Sequence, residues 1–121
     1  MSLDVYLYEL NVQRCPHCNL EISSKKEYVF DQNITHNLNT MAEAAGMYKA
    51  VWRPEEVGIT KASQLAPILR DGIAQMHADP DKFKKLDSPN GWGLYIHFLP
   101  WLEKYLEACE SYPEATIEVS R

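Results

Sequence analysis

Two cysteines separated by two residues, Cys15 and Cys18, are the sharpest chemical signal in the chain. Thiolates at this spacing can supply half of a tetrahedral zinc site, which needs four ligands when it is structural. The chain holds one further cysteine, so the other ligands would come from His17, His36 and Cys109, or from two cysteines of a second chain. No cofactor is needed to explain the fold. Zinc is the one that these residues suggest, and a homodimer is one way to complete its coordination.

The same tetrapeptide has two further interpretations. Cys15-Pro16-His17-Cys18 resembles the active-site tetrapeptide of the DsbA branch of the thioredoxin-like oxidoreductases, in which the first cysteine begins a helix and has a lowered pKa. That resemblance covers four residues and implies thiol–disulfide exchange. The residues that follow, Asn19 to Ser24, are a poor first turn for such a helix. The other interpretation is a hairpin loop with two exposed thiols, or the remnant of a zinc knuckle.

A second group of polar residues, Asn33, His36 and Asn37, lies where a predicted strand gives way to a predicted helix. The free N–H groups of a helix N-terminus favour phosphate or carboxylate. His36 could donate a hydrogen bond there and become charged near neutral pH. The alternative is plain helix capping, in which Thr35 and Asn33 satisfy unpaired N–H groups.

Tryptophan and arginine side chains occur in segments without regular periodicity, and such side chains often anchor recognition. An arginine adds a charge-assisted, bidentate contact to an anion. The tryptophans would offer a flat surface to a ring, or they would instead fix their loops to the core. The candidate ligand site therefore comprises Asn33, His36, Asn37, Trp52, Arg53 and Trp92. No Ser–His–Asp order, phosphate-binding loop or dinucleotide fingerprint accompanies it.

Three segments have the character of strands. Leu3–Leu10 alternates apolar and polar residues, Glu27–Asp31 is rich in strand formers, and Ala115–Ser120 alternates again. We expect the first and last of these to lie in one sheet. The polar stretch Asn11–Lys26 is predicted to be a long connection.

Helical spacing of apolar residues and capping residues predict the helices. These are a helix capped by Thr35 and ended by Gly46, one capped by Thr60 or Ser63, a short one from Asp79-Pro80, and one over Trp92–Ser111 that Pro100 kinks or splits. Met47–Gly58 is predicted to be irregular. The predicted core includes Leu38, Met41, Leu65, Leu69, Phe98, Leu102 and Leu106.

These elements predict an α+β fold in a single domain over residues 1–121. The elements follow one another along the chain in the order β-β-α-α-α-β, apart from the short helix. The small antiparallel sheet has about three strands, and the helices pack on one face of it. The net charge of −5 disfavours nucleic acid as a partner. No apolar run approaches a membrane span and no signal peptide pattern begins the chain. The odd cysteine count then favours a soluble protein in the reduced cytoplasm.

The chain also resembles a group of small uncharacterised proteins of phages, prophages and bacteria. The resemblance covers most of the chain outside Asn11–Lys26 and rests on the motifs SLDVYL (2–7), NITHNL (33–38), WRPEE (52–56), NGWG (90–93), YLEAC (105–109) and EVSR (118–121). It implies a genomic context and no particular activity.

The leading hypothesis is a non-enzymatic binding module, encoded by a phage, that acts on a host protein or holds a small anionic ligand. Two alternatives stay open. One is a metal-binding or thiol-redox protein that uses Cys15 and Cys18, and the other is an unrecognised enzyme that uses His36.

Overall fold

A three-stranded antiparallel sheet forms one layer of the protein. The computed structural model describes residues 2–87, 89, 91 and 93–121, without the side chains of 11–13 and 21–24. Strands β1 (Ser2–Arg14), β2 (Glu21–Thr35) and β3 (Thr116–Ser120) have the spatial order β2-β1-β3. The predicted α+β fold is confirmed, and so is the expectation that the two end segments share one sheet.

The alternation in β1 gives the sheet one buried and one open face. Leu3, Val5 and Leu7 have no exposed surface and face the helices. Tyr6 and Tyr8 are half-buried on the other face, where each contacts the ring of Tyr28 at 5.7 Å between centroids. Helices therefore cover one face of the sheet, as expected from a period of two with one apolar side.

The prediction of a long connection over Asn11–Lys26 is wrong. β1 continues to Arg14 and β2 begins at Glu21, so that only the turn between them is irregular. Asn11 pairs with Lys25 and Leu10 with Lys26, and these pairs lie beyond Tyr8, the last residue of β1 that pairs with β3. Backbone pairing of β1 with β2 forms this extension, and the side chains described in it, those of residues 9, 10, 14 and 25–28, are exposed.

The helical layer contains more short elements than the apolar pattern indicates. Its helices are α1 (Asn39–Ala44), α2 (Tyr48–Trp52), α3 (Ala62–Ala78), α4 (Pro80–Lys84) and α5 (Tyr95–Ser111), with 3-10 turns over His36–Leu38 and Pro54–Val57. The segment Met47–Gly58, predicted to be irregular, thus contains α2 and a 3-10 turn. Gly46 ends the α1 region with φ of 75°, which glycine adopts without strain.

The helix boundaries follow local hydrogen bonding. The Thr35 hydroxyl accepts from the N–H of Asn37, as predicted, although the element it caps is a 3-10 turn. We expected Thr60 or Ser63 to cap α3, but neither side chain does so. Instead, the side-chain oxygen of Gln64 accepts from the N–H groups of Thr60 and Lys61, at 2.8 and 3.0 Å.

The last helix is a single element. α5 begins at Tyr95, later than the predicted Trp92, which itself lies outside the described residues. It runs through Pro100 to Ser111 without a break. Pro100 stands in the second turn, where one missing N–H removes one bond to the preceding turn. Of the two predicted effects of Pro100, a kink or a split, the split is not found.

The core lies between the sheet and the pair α3 and α5. Six of the seven predicted core residues are buried, and Leu106 is the exception because it is half-buried beside a groove. Gly72 of α3 lies against the buried side chain of Met47, which occupies the space that a Cβ would need. Within the described part of the chain, no helix has the length and apolar character needed to cross a membrane.

Candidate functional site

A surface pocket of about 340 Å³ lies where β2 passes into the helical layer. Its lining residues come from three separated parts of the sequence and are His36, Asn39, Tyr48, Trp52, Arg53 and Arg121. The structure thus places His36 and Arg53 in one concavity, which was the spatial requirement of the ligand-site hypothesis.

Trp52 joins this pocket to the core. Its side chain is 1% exposed and its ring lies 6.2 Å from that of Phe98, edge to face. The indole N–H donates to Nδ1 of His36 at 3.0 Å. Because Nδ1 is the acceptor, the proton of the neutral imidazole is assigned to Nε2. His36 therefore offers the pocket a hydrogen-bond donor, whereas buried Trp52 does not offer the flat surface that the sequence suggested.

Arg53 follows α2 and lies in the pocket wall. Its Nε donates to the Tyr48 hydroxyl at 3.4 Å, and its Nη1 contacts Oε2 of Glu56 at 3.1 Å. The Tyr48 hydroxyl and then the Glu56 carboxylate raise the pKa of Arg53 above its ordinary value. The guanidinium is therefore a fixed positive charge at the rim of the pocket.

Arg121 adds a second guanidinium that the sequence analysis did not include. Its Nη1 donates to the Trp52 carbonyl at 2.8 Å and to Oε1 of Glu55 at 2.7 Å. The backbone N–H of Glu55, followed by Arg121, lowers the pKa of that carboxyl. Only the topology of the sheet could have indicated Arg121. Because β3 runs antiparallel to β1, a residue that follows β3 lies at the end of the sheet where β1 begins and β2 ends.

The pocket chemistry favours an anion. Two guanidinium groups and the Nε2–H of His36 can each donate a hydrogen bond to a carboxylate or phosphate oxygen, and such charge-assisted bonds are stronger than neutral ones. Glu55 and Glu56 compete for the guanidiniums. Both pairs are partly exposed to water, where an ion pair contributes about 0–1 kcal/mol, so an incoming anion can replace them at small cost.

Two of the predicted site residues that the structure describes, Asn33 and Asn37, do not line this pocket. Asn33 bonds Ser2 and Asp4 on the open face of the sheet, opposite the helices. Asn37 lies against Gly93. A Cβ added to residue 93 would lie 3.0 Å from the Cβ of Asn37. Trp92 is outside the described residues, so its predicted role is untested.

The physical basis of the predicted anion site also changes. His36 begins a 3-10 turn of three residues rather than a long helix. So short an element has little of the macrodipole that makes a helix N-terminus attractive to anions. The positive character of the pocket comes instead from the side chains of Arg53 and Arg121.

The second candidate site, Cys15 and Cys18, lies in the turn of the β1–β2 hairpin. This position contradicts the thioredoxin-like interpretation, in which the first cysteine begins a helix. All three cysteines are free, and the side chain of Cys18 is exposed. The backbone N–H groups of Cys18 and His17, followed by the Cys18 thiol, donate hydrogen bonds that lower the pKa of Cys15.

Cys109 has the opposite environment. It has no exposed surface, and burial raises its pKa to about 12. It is therefore a packing residue and not a remote ligand for a metal at the hairpin. Among the described residues, no three or more His, Cys, Asp or Glu side chains converge in a way that could hold a metal ion.

Comparison of the chain with protein-family models, with curated proteins and with solved structures gives no match. The function is therefore argued from the geometry of these sites.

Proposed function

We propose that the protein is a non-catalytic binding module whose pocket holds a carboxylate or phosphate group. The observation that supports this most directly is the pair of guanidiniums, Arg53 and Arg121, that line one pocket with His36. Guanidinium groups that line a concave surface can bind the oxygens of an anion through charge-assisted hydrogen bonds. The anion belongs to a small ligand or to an acidic side chain of a protein partner.

The dimensions of the pocket agree with a small anionic group. A volume of about 340 Å³ lies at the lower end of the roughly 300–1,000 Å³ typical of ligand pockets. Tyr48 contributes an aromatic ring to the wall, and this ring lies 5.8 Å from that of Trp52. An acidic group with a short apolar portion would therefore find both a charged and an apolar contact.

Binding is favoured over catalysis because of the way His36 is used. A general base needs a nitrogen that can accept a proton from the substrate. Nδ1 already accepts the Trp52 N–H, and the remaining nitrogen carries the ring proton. In this tautomer His36 is a donor that orients an anion. An enzymatic role for His36 would require that hydrogen bond to break.

The first test is an NMR titration of the ¹⁵N-labelled chain with inorganic phosphate and, separately, with acetate. We expect saturable shifts of the Trp52 indole resonance and of the backbone around Arg53. Arg53→Gln and Arg121→Gln should each weaken binding by about 10-fold or more, because each removes a charge-assisted bond worth about 1.5–3 kcal/mol.

A matched control is Arg70→Gln. Arg70 also pairs with a glutamate, Glu110, but it lies on the α3–α5 side and does not line the pocket. Its replacement should leave the affinity unchanged. Shifts that do not saturate, or an equal loss in the Arg70 variant, would show that the anions interact with the surface charge in general.

A partner protein is tested with an acidic peptide in place of phosphate. If the carboxylate comes from a protein, a peptide with a glutamate beside an apolar residue should bind more tightly than acetate and depend on the same two arginines. Action on a host protein would be consistent with the predicted phage context, which remains a prediction.

His36→Ala is a less clean test than the sequence suggested. Removing the imidazole leaves the Trp52 N–H without its acceptor, and an unpaired buried donor costs about 1–3 kcal/mol. We therefore expect this variant to lower stability as well as affinity, so the arginine variants are the ones that separate binding from folding.

A further inference from the structure

The hairpin formed by β1 and β2 extends beyond the three-stranded part of the sheet. β3 pairs with β1 only as far as Tyr8, whereas β1 and β2 continue to pair as far as Arg14 and Glu21. At about 3.3 Å per residue, residues 9–14 carry the turn roughly 20 Å past the end of β3. The turn can therefore approach another molecule without contact between the main bodies.

The turn is closed by two backbone hydrogen bonds at Cys15. The N–H of Cys15 bonds the Leu20 carbonyl at 2.8 Å, and the N–H of Asn19 bonds the Cys15 carbonyl, also at 2.8 Å. The backbone N–H groups of Cys18 and His17 point at the Cys15 thiol. Asn19 adopts φ of 58°, a left-handed conformation that closes the loop.

The turn leaves Cys15 half-buried and Cys18 exposed, so that both can be reached from outside the chain. N–H donors around a ligating sulfur orient it and stabilise its negative charge, as outer hydrogen bonds do in metal sites generally. Cys18 is exposed and follows at the spacing of paired zinc ligands. Arg14 adds a positive charge at the same turn, because its Nη1 donates to the Asn19 carbonyl at 3.2 Å.

We propose that Cys15 and Cys18 form half of a tetrahedral zinc site, and that the same two cysteines of a second copy of this chain complete it. Each thiol gives up its proton to solvent when its sulfur binds the metal. Zinc is the expected ion because four thiolates in tetrahedral geometry favour it over harder cations.

The second copy is proposed to supply the two ligands that a structural zinc site needs beyond Cys15 and Cys18. Two thiolates leave a structural zinc ion two ligands short, and no larger set of metal-binding side chains converges among the described residues. Cys109 is buried in the core and cannot reach the turn. Leu20, next to the turn, is 68% exposed, so a second hairpin docked there would give this leucine an apolar neighbour.

The experiment is a titration of the reduced full chain with Co²⁺, followed by displacement with Zn²⁺. We expect a sulfur-to-cobalt charge-transfer band and tetrahedral visible bands that saturate at one metal per two chains. Sedimentation should show a dimer that forms with the metal and dissociates with a chelator. The Cys15→Ser/Cys18→Ser variant should lose both the bands and the dimer while keeping its circular dichroism spectrum.

Two matched variants make the result specific. His17→Ala removes the only other ligand-type side chain inside the turn, and Asn19→Gly keeps the left-handed backbone without the amide. Both should retain one metal per two chains. Saturation at one metal per monomer, loss of binding in the His17 variant, or bands unchanged in the double serine variant would each overturn the proposal.

Discussion

The hairpin turn and the helical layer give the same residue type opposite properties. Cys15, in the turn, receives N–H hydrogen bonds that lower its pKa, whereas apolar burial raises the pKa of Cys109 in α5 to about 12. The turn lies beyond the last contact with β3, and Cys109 lies inside the core. The comparison separates the core, which contains Cys109, from the part of the β1–β2 hairpin beyond Tyr8, here called the arm, which carries Cys15 and Cys18.

The largest expected effect is in the helical layer. Leu102 has no exposed surface and belongs to the core cluster, so Leu102→Ala should lower the free energy of unfolding by about 2–5 kcal/mol. Chemical denaturation of the two proteins measures this change, if both curves are fitted with the same dependence of the free energy of unfolding on denaturant concentration. A change below about 0.5 kcal/mol would mean that the core can close around the lost volume and would weaken the contrast between the two regions.

A second effect depends on pH and on Cys109. The folded pKa of this thiol is raised, so its stabilising contribution is complete below the unfolded pKa of about 8.5 and declines as pH rises towards 12. By pH 10 the loss is on the order of 1–2 kcal/mol. Burial also raises the pKa of Tyr105 well above its usual range, in the same direction.

Cys109→Ala tests this origin. The variant is expected to be less stable at neutral pH, because it leaves a small cavity, but its stability should fall less between pH 8 and pH 10. Thermal denaturation across that range gives the comparison. Parallel pH profiles for the two proteins would assign the alkaline loss to other groups.

A third effect concerns the contact between Gly72 and Met47. A Cβ at position 72 would occupy the space of the Met47 side chain, so Gly72→Ala should cost about 1–2 kcal/mol after the better helix propensity of alanine is included. In the Met47→Ala background the same substitution should cost less, because the space is then free. Equal costs in the two backgrounds would disprove the steric origin.

The smallest expected effect is at the turn. In the absence of metal, Cys15→Ser/Cys18→Ser should melt within about 2 °C of the parent chain, because neither side chain belongs to the core. Differential scanning calorimetry in a chelating buffer measures the difference. A loss comparable to that of Leu102→Ala would contradict the separation of the arm from the core.

The sequence predicted the sheet where one of its faces is buried. Leu3, Val5 and Leu7 alternate because every second side chain of β1 meets the helices, and that period is visible in the sequence. The pairing of β1 with β2 beyond Tyr8 was not predicted. Beyond Tyr8, β1 pairs with β2 and not with β3, and the mostly polar sequence of residues 11–26 favoured a connection over a pair of strands.

The candidate site was predicted only in part. His36, Trp52 and Arg53 were chosen for their residue types, and their convergence depends on Trp52 reaching from α2 to the end of β2. Arg121 could not be found by type alone, because its contribution follows from the pairing of Ser120 with Asp4. Asn33 was misplaced because strand β2 extends past it, which turns its side chain to the open face.

The hydrogen bond from Trp52 to His36 has a consequence for spectroscopy. An indole that is 1% exposed, packed against Phe98 and bonded to a pocket residue emits from a rigid apolar environment. Its emission is sensitive to that hydrogen bond as well as to the packing of the ring. Filling the pocket would therefore change the ultraviolet fluorescence of the unlabelled protein. Tryptophan emission thus reports whether an anion occupies the pocket.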